Sequence, residues 1–328
     1  MFNFYILSLL SGFFEIGPLV YIYQQGGNLA FTLFAVLCYQ IGNLVPCPLR
    51  LSGKITLAVS SLSLFCFGIA LSCFPPFPLQ YVILSIAVLF ASAVIQSLRS
   101  VKKSNSPQLI KRTTRIIGFA SGFLWAFSFV PIIALISLVF VAGIAFKSKK
   151  ELPIRTTFLS PKTLTKLNWA MIFHQLHYFV YCYAALLFAC HKGGIWIALM
   201  LWVLTWLTYT YSEKLPFYQR TNYYNIFITG HILLLGVLLG MFFIENDFAR
   251  IILWCFTGCG ATTVFCFKKI NPQDINITFA ENIGHVLGIL LCLIIFISFN
   301  NLIYTLPAAA IFVLIALLLM GIERRKIC

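Results

Sequence analysis

Acidic side chains are nearly missing from this 328-residue chain: Asp and Glu total eight, against 23 Lys and Arg. Charged residues of all kinds make up 9%, where a soluble domain carries roughly 25%. A chain so poor in charge, with 61% hydrophobic residues, is solvated by lipid rather than by water. Several chemical motifs are missing too. There is no Walker A loop, no Asp-rich prenyl-phosphate motif, no HExxH and no GxSxG. The eleven Cys stand singly, with no CxxC pair and no metal-finger spacing, so no disulfide framework is implied. Several of them (Cys66, Cys182, Cys255, Cys259) fall mid-span, where free Cys is a small apolar packer. The start, Met1 to Tyr23, lacks a basic leader region and a small-residue cleavage site, and reads as a retained span. A net charge of +15 would point to nucleic acid on a soluble protein. Here it lies in short loops beside apolar spans, and membrane orientation accounts for it.

What is present is an alternation. Apolar spans fall near 3–23, 28–46, 54–73, 77–97, 113–128, 129–146, 166–190, 194–211, 222–243, 249–267, 277–297 and 302–322. The loops between them are alternately basic and almost uncharged. One set carries Arg50 and Lys54, Arg99 to Arg115, Lys147 to Lys166, Lys214 and Arg220, Lys268 and Lys269, and Arg324 to Lys326. That is 21 of the 23 bases, and the other set has only Lys192 and Arg250. Cytoplasmic loops collect Lys and Arg, so both termini are expected inside a cell (inner) membrane. Residues 113–146 hold no polar loop, yet both ends are basic. Two crossings are therefore expected there, with Pro131 opening the second.

An internal repeat divides the chain in the middle. Phe13 to Tyr23 aligns with Phe173 to Tyr183 at an offset of 160, matching Phe13, Val20, Tyr21 and Tyr23. Each segment is followed by a Gly pair, Gly26-Gly27 and Gly193-Gly194. Further on, Gly118 and Gly122 align with Gly284 and Gly288 at an offset of 166. The expected fold is all-α: a polytopic membrane protein of about 12 transmembrane helices in two pseudo-symmetric six-helix bundles. The halves are expected at 1–150 and 166–328, joined by a basic cytoplasmic linker at 151–165.

This architecture resembles the major facilitator superfamily over the whole chain. The resemblance implies a central cavity lined by the first, fourth, seventh and tenth helices. It implies contacts between halves through the second, fifth, eighth and eleventh. Gly118, Gly122, Gly284 and Gly288 fall on the fifth and eleventh, where small residues four apart allow close packing. The family's signature loop follows the second helix. Here it runs from Gly42 to Lys54, keeping a Gly and basic residues but no acidic one.

Ionisable groups at membrane depth are costly and mark function. Glu15 is the only acidic residue near mid-membrane, followed by Gly17 and Pro18, which are expected to break the helix and bare its carbonyls. His174 and His177, three apart, share one face of the seventh span beside Tyr178 and Tyr181. His285 lies in the eleventh, one turn deeper than Glu281. Gln40 and the outer Arg250 complete the candidate substrate and proton-binding set of Glu15, His174, His177, His285, Gln40, Tyr181 and Arg250. Glu281 reads as a gate or interface ion pair, and Arg250 has an alternative as an interfacial anchor. Trp196, Trp202, Trp206 and Trp254 are candidates to stack on a ligand, with anchoring in the membrane as the alternative. His231, mid-span in the peripheral ninth helix, reads as structural. The remaining bases read as orienting charges.

The leading expectation is a secondary transporter, not an enzyme, needing no cofactor. It would move a small solute by alternating access with proton coupling, its partners being the bilayer, the solute or ion, and protons. One alternative is a divalent transition-metal transporter of the same fold, with Glu15, His177 and His285 as ligands. Another is a membrane-embedded lipid-modifying enzyme with a His base.

Overall fold

In lipid, a backbone N–H or C=O has no water to bond, so each span must pair its own polar groups as a helix. The structure, a computed structural model, describes residues 2–26, 28–72, 77–101, 108–124, 130–159, 163–211, 222–261, 263–272, 274 and 276–325. The expected break between the fifth and sixth spans, the segment Ser104 to Pro107, the segment Glu213 to Arg220 and Pro161 lie outside the described residues.

The chain forms two compact units, Met1–Ser160 and Pro161–Cys328. The first holds α1 (Phe2–Gln24), α2 (Leu29–Leu44), α3 (Gly53–Ser72), α4 (Phe77–Val101), α5 (Gln108–Leu124) and α6 (Val130–Ser148). The second holds α7 (Lys166–Tyr211), α8 (Tyr223–Phe243), α9 (Asp247–Ala261), α10 (Val264–Ile270), α11 (Asn276–Phe299) and α12 (Thr305–Arg324). Among the described residues, seven helices are long and apolar enough to cross a membrane. One of these is the 46-residue α7, which breaks at Gly194 (φ 80°) and so supplies two crossings. A positive φ at this angle favours Gly, and Gly26 (φ 75°) plays the same part where α1 ends. The shorter apolar α2 and α6, with α5 and the α9–α10 pair, complete the polytopic all-α bundle.

Three local features depart from the sequence reading. Helix α1 runs through Gly17 and Pro18 without interruption, so no bared carbonyl turn follows Glu15. Gly17 packs backbone to backbone against Gly122, and that support holds the helix where Pro18 removes a hydrogen bond. Helix α5 begins at Gln108, so Arg112 and Arg115 are helical rather than loop residues. The linker is also tethered: Thr157–Phe158 (β2) pairs antiparallel with Leu49–Arg50 (β1) in the loop after α2. Gly53 and Leu159 add backbone bonds to Pro153 and Pro48 there. A pairing this short leaves no periodicity in a sequence.

Small residues set the helix packing. A side chain at Gly118 would collide with the backbone of Leu9 and Phe13, and one at Gly122 with Phe13 and Gly17. In the second unit, Gly284 meets Ile172 and Leu176, and Gly288 meets Leu176 and Phe179. The Gly-x-x-x-Gly pairs therefore join α5 to α1 and α11 to α7, each within its own unit. Leu9 and Phe13 thus correspond to Ile172 and Leu176, an offset of 163 rather than 160. A three-residue slip is nearly one helical turn and keeps much the same face, which is why the sequence alignment tolerates it.

Gly118→Leu and Gly288→Leu should each lower the melting temperature of the detergent-solubilised protein, by overpacking worth about 1–3 kcal/mol or more. Gly68→Ala, where an added Cβ meets nothing within 4 Å, should leave it unchanged. Equal melting of all three would contradict the close approach.

Candidate metal centre

The first arm of α7 presents His174 and His177 toward α8, and α8 presents His231 back. His174 Nδ1 and His231 Nε2 lie 2.9 Å apart. His177 Nε2 lies 3.3 Å from His174 Nδ1 and 3.2 Å from His231 Nε2. All three side chains are buried, at 1% exposure or less. Among the described residues this is the one group of three or more His, Cys, Asp or Glu whose donor atoms converge tightly enough to hold a metal ion.

The walls are aromatic. Phe227 stacks on the His231 ring at 3.8 Å, and Phe227 and Phe267 both flank His174. Both Phe belong to the hydrophobic core of the unit, with Ile172, Ala280, Ala316 and Met320. The far side of His231 fixes its tautomer. Its Nδ1 lies 2.9 Å from the Phe227 carbonyl oxygen, an acceptor only. It also lies 3.4 Å from Thr263 Oγ1, whose own proton is donated to Gly260 O. Nδ1 therefore carries the hydrogen, and Nε2 turns a lone pair into the cluster.

The other sequence candidates fall elsewhere. Glu15, 3% exposed, is salt-bridged to Arg115 of α5. Arg115 had read as an orienting charge, and its partner lies 100 residues away. The surrounding network reaches four helices: Tyr39 donates to the Ser11 carbonyl at 2.8 Å, and Arg99 donates to Ser11 Oγ at 3.3 Å. Gln40 is buried in α2 and Tyr181 in α7. Within the second unit, His285 pairs with Gln175 Oε1 at 3.1 Å and stacks on Phe179 at 4.0 Å. His177 instead meets His174 and His231.

Two charged candidates have local roles. Arg250 donates to the Met241 and Ile244 carbonyls and to Asp247, capping the C-terminal end of α8. Glu281 accepts from Lys268 at 3.0 Å, tying the start of α11 to the end of α10. Trp202 and Trp254, candidates to stack on a ligand, are buried against each other at 5.9 Å.

Sequence reasoning missed His231 as a member of the site. The available signal was a third imidazole at mid-span in a chain with only five His. Nothing in the spacing says which way α8 turns it.

No protein-family model matches this chain. No curated protein matches it by sequence. Solved structures do share its fold. A bacterial homologue of the iron transporter ferroportin in the outward-facing state aligns with 97% of this chain and 96% of its own, at TM-score 0.59 and 10% identity. The same kind of protein with soaked iron aligns at TM-score 0.62 and 11% identity. A bacterial metal transporter aligns over 97% of this chain at TM-score 0.60 and 12% identity. At such identities the likeness concerns the fold alone: a polytopic, all-helical architecture.

The Glu15–Arg115 pair has a consequence for stability. Arg115→Met leaves a buried carboxylate without its partner, an error worth about 3–5 kcal/mol. Its melting temperature should fall well below wild type, and adding Glu15→Gln should restore much of the loss. A double variant no better than the single one would show that the pair is not the stabilising contact.

Proposed function

We propose that this protein is a membrane transporter that moves a divalent transition-metal cation by alternating access. The observation that carries this reading is the convergence of His174, His177 and His231. The cation is cargo, so the triad acts as a binding site along its path. The fold shared with a bacterial metal transporter supports the same reading. A small organic solute is the weaker reading, because two of the four Trp expected to stack on it, Trp202 and Trp254, are packed into the core.

The triad is sealed in this conformation, and ions reach it only when the packing of α7 against α8 loosens. Closure of this kind is what an occluded step requires. Protons compete for the same imidazole nitrogens, so cation binding and protonation exclude each other, and proton coupling follows. The distribution of basic loops favours both termini on the cytoplasmic side of a cell membrane.

The test is cation uptake into proteoliposomes carrying an internal metal-sensitive dye. Wild type should transport, and a pH gradient should accelerate it. His177→Ala and His231→Ala, if still folded by melting temperature, should each lose at least about tenfold in rate. Wild-type rates in both folded variants would remove the triad from the path. Indifference to the pH gradient would remove the proton from the coupling.

A further inference from the structure

We infer that the triad selects a late first-row divalent cation, of the Zn2+ and Co2+ kind, over Fe2+, Mn2+ and Mg2+, and binds it through His174 Nδ1, His177 Nε2 and His231 Nε2. This rests on the reading of the triad as the cargo site. It goes further by naming the donor atoms and the class of ion.

The first argument is that ring nitrogens converge on one point. His231 Nε2 carries a lone pair, since its hydrogen is on Nδ1, directed at Phe227 O. His174 Nδ1 lies 2.9 Å from it, the shortest contact in the cluster. His177 Nε2, at 3.2 Å from His231 Nε2 and 3.3 Å from His174 Nδ1, completes a triangle. A neutral imidazole has one unprotonated nitrogen, so each of the three rings can turn a lone pair to a shared cation.

The second argument is size. A metal about 2.0–2.1 Å from imidazole nitrogens holds them roughly 3.3 Å apart in a tetrahedral site and roughly 3.0 Å apart in an octahedral one. The observed edges of 2.9, 3.2 and 3.3 Å span those values. One face of a coordination sphere is therefore already assembled, with further positions left for water.

The third argument is ligand chemistry. Among the described residues no carboxylate or thiolate joins the three nitrogens. Mg2+ and Mn2+ favour oxygen donors, whereas imidazole suits later metals, and affinity rises from Mn2+ through Fe2+ and Co2+ toward Cu2+. A soft Cu+ site would call for sulfur. A neutral nitrogen set with no oxyanion is therefore selective by composition.

The experiment uses the purified full-length protein with Co2+ as an optical probe. Co2+ should give a ligand-field absorption that Zn2+ displaces and that Mn2+ and Mg2+ do not, with Fe2+ (under reducing conditions) displacing at least about tenfold less well than Zn2+. The absorption should vanish in His231→Asn and in His177→Ala. X-ray absorption on the Zn2+-loaded wild type, which needs no variant, should show imidazole nitrogen neighbours and no sulfur. Displacement by Fe2+ or Mn2+ as strong as by Zn2+, or a shell of oxygen or sulfur, overturns the selectivity while leaving a transporter standing. A Co2+ signal unchanged in both folded variants places the metal elsewhere and overturns the donor assignment. Wild type that neither binds nor transports any of these cations overturns the transport reading as well.

Discussion

Backbone-to-backbone approach at a few glycines is the constraint on which the other contacts depend. In lipid there is no water to drive helices together, so association rests on close packing and on polar contacts between helices. Gly12, Gly118 and Gly122 bring α1 against α5, and Gly284 and Gly288 bring α11 against α7. Once those registers are set, the remaining faces of α1 and α7 are assigned. Glu15 is turned to Arg115, and Gln175 is turned to His285. His174 and His177 then lie on another side of α7, where α8 is the neighbour. A bulkier residue at one of the glycines would shift these polar partners along with the helices.

Helix order and the pairing of small residues were readable because both leave periodic traces. Alternating basic loops separate neighbouring crossings even at 113–146, where no polar loop exists; α5 and α6 flank the expected break, which itself lies outside the described residues. His174 and His177 were readable as a pair because three residues make nearly one turn. Partnerships between distant segments were not. Arg115 looked like any other basic residue at a span end, and only the contact of α5 with α1 makes it the counter-ion of Glu15. His231 lies 54 residues beyond His177. An apolar helix such as α8 offers no moment by which to tell its buried face from its lipid face. The strand pair at Leu49–Arg50 and Thr157–Phe158 was hidden for a related reason, because two residues cannot show alternation.

The two units share a packing scheme but not a chemistry. In the first, an ion pair, Glu15 with Arg115, sits beside a hydrogen bond from Arg99 to the neutral Ser11 hydroxyl. Such a network stabilises a conformation and holds helices in place, and the pairing of its acid and base leaves little reason to take in a metal. In the second, the central group is three imidazoles set in an apolar wall of Phe227 and Phe267. Their ring nitrogens converge with no carboxylate or thiolate among them in the described residues. The pseudo-symmetric scaffold thus carries an ion pair in one half and a neutral histidine cluster in the other.

That neutrality also argues for cargo over a resident metal. A divalent ion taken from water into an apolar core meets a desolvation penalty of several kcal/mol or more. A carboxylate or thiolate among the ligands would offset it and hold the ion for long times. Imidazoles supply lone pairs but no counter-charge, so binding is favoured by coordination and opposed by uncompensated charge. A conducting site has to balance in this way, favourable enough to fill and weak enough to empty. Water reaching the triad during opening would restore the ion's hydration and tip the balance toward release. On the proposed reading, the burial of His174, His177 and His231 would do more than exclude solvent: it would make the hold on the ion depend on whether the surrounding helices are closed.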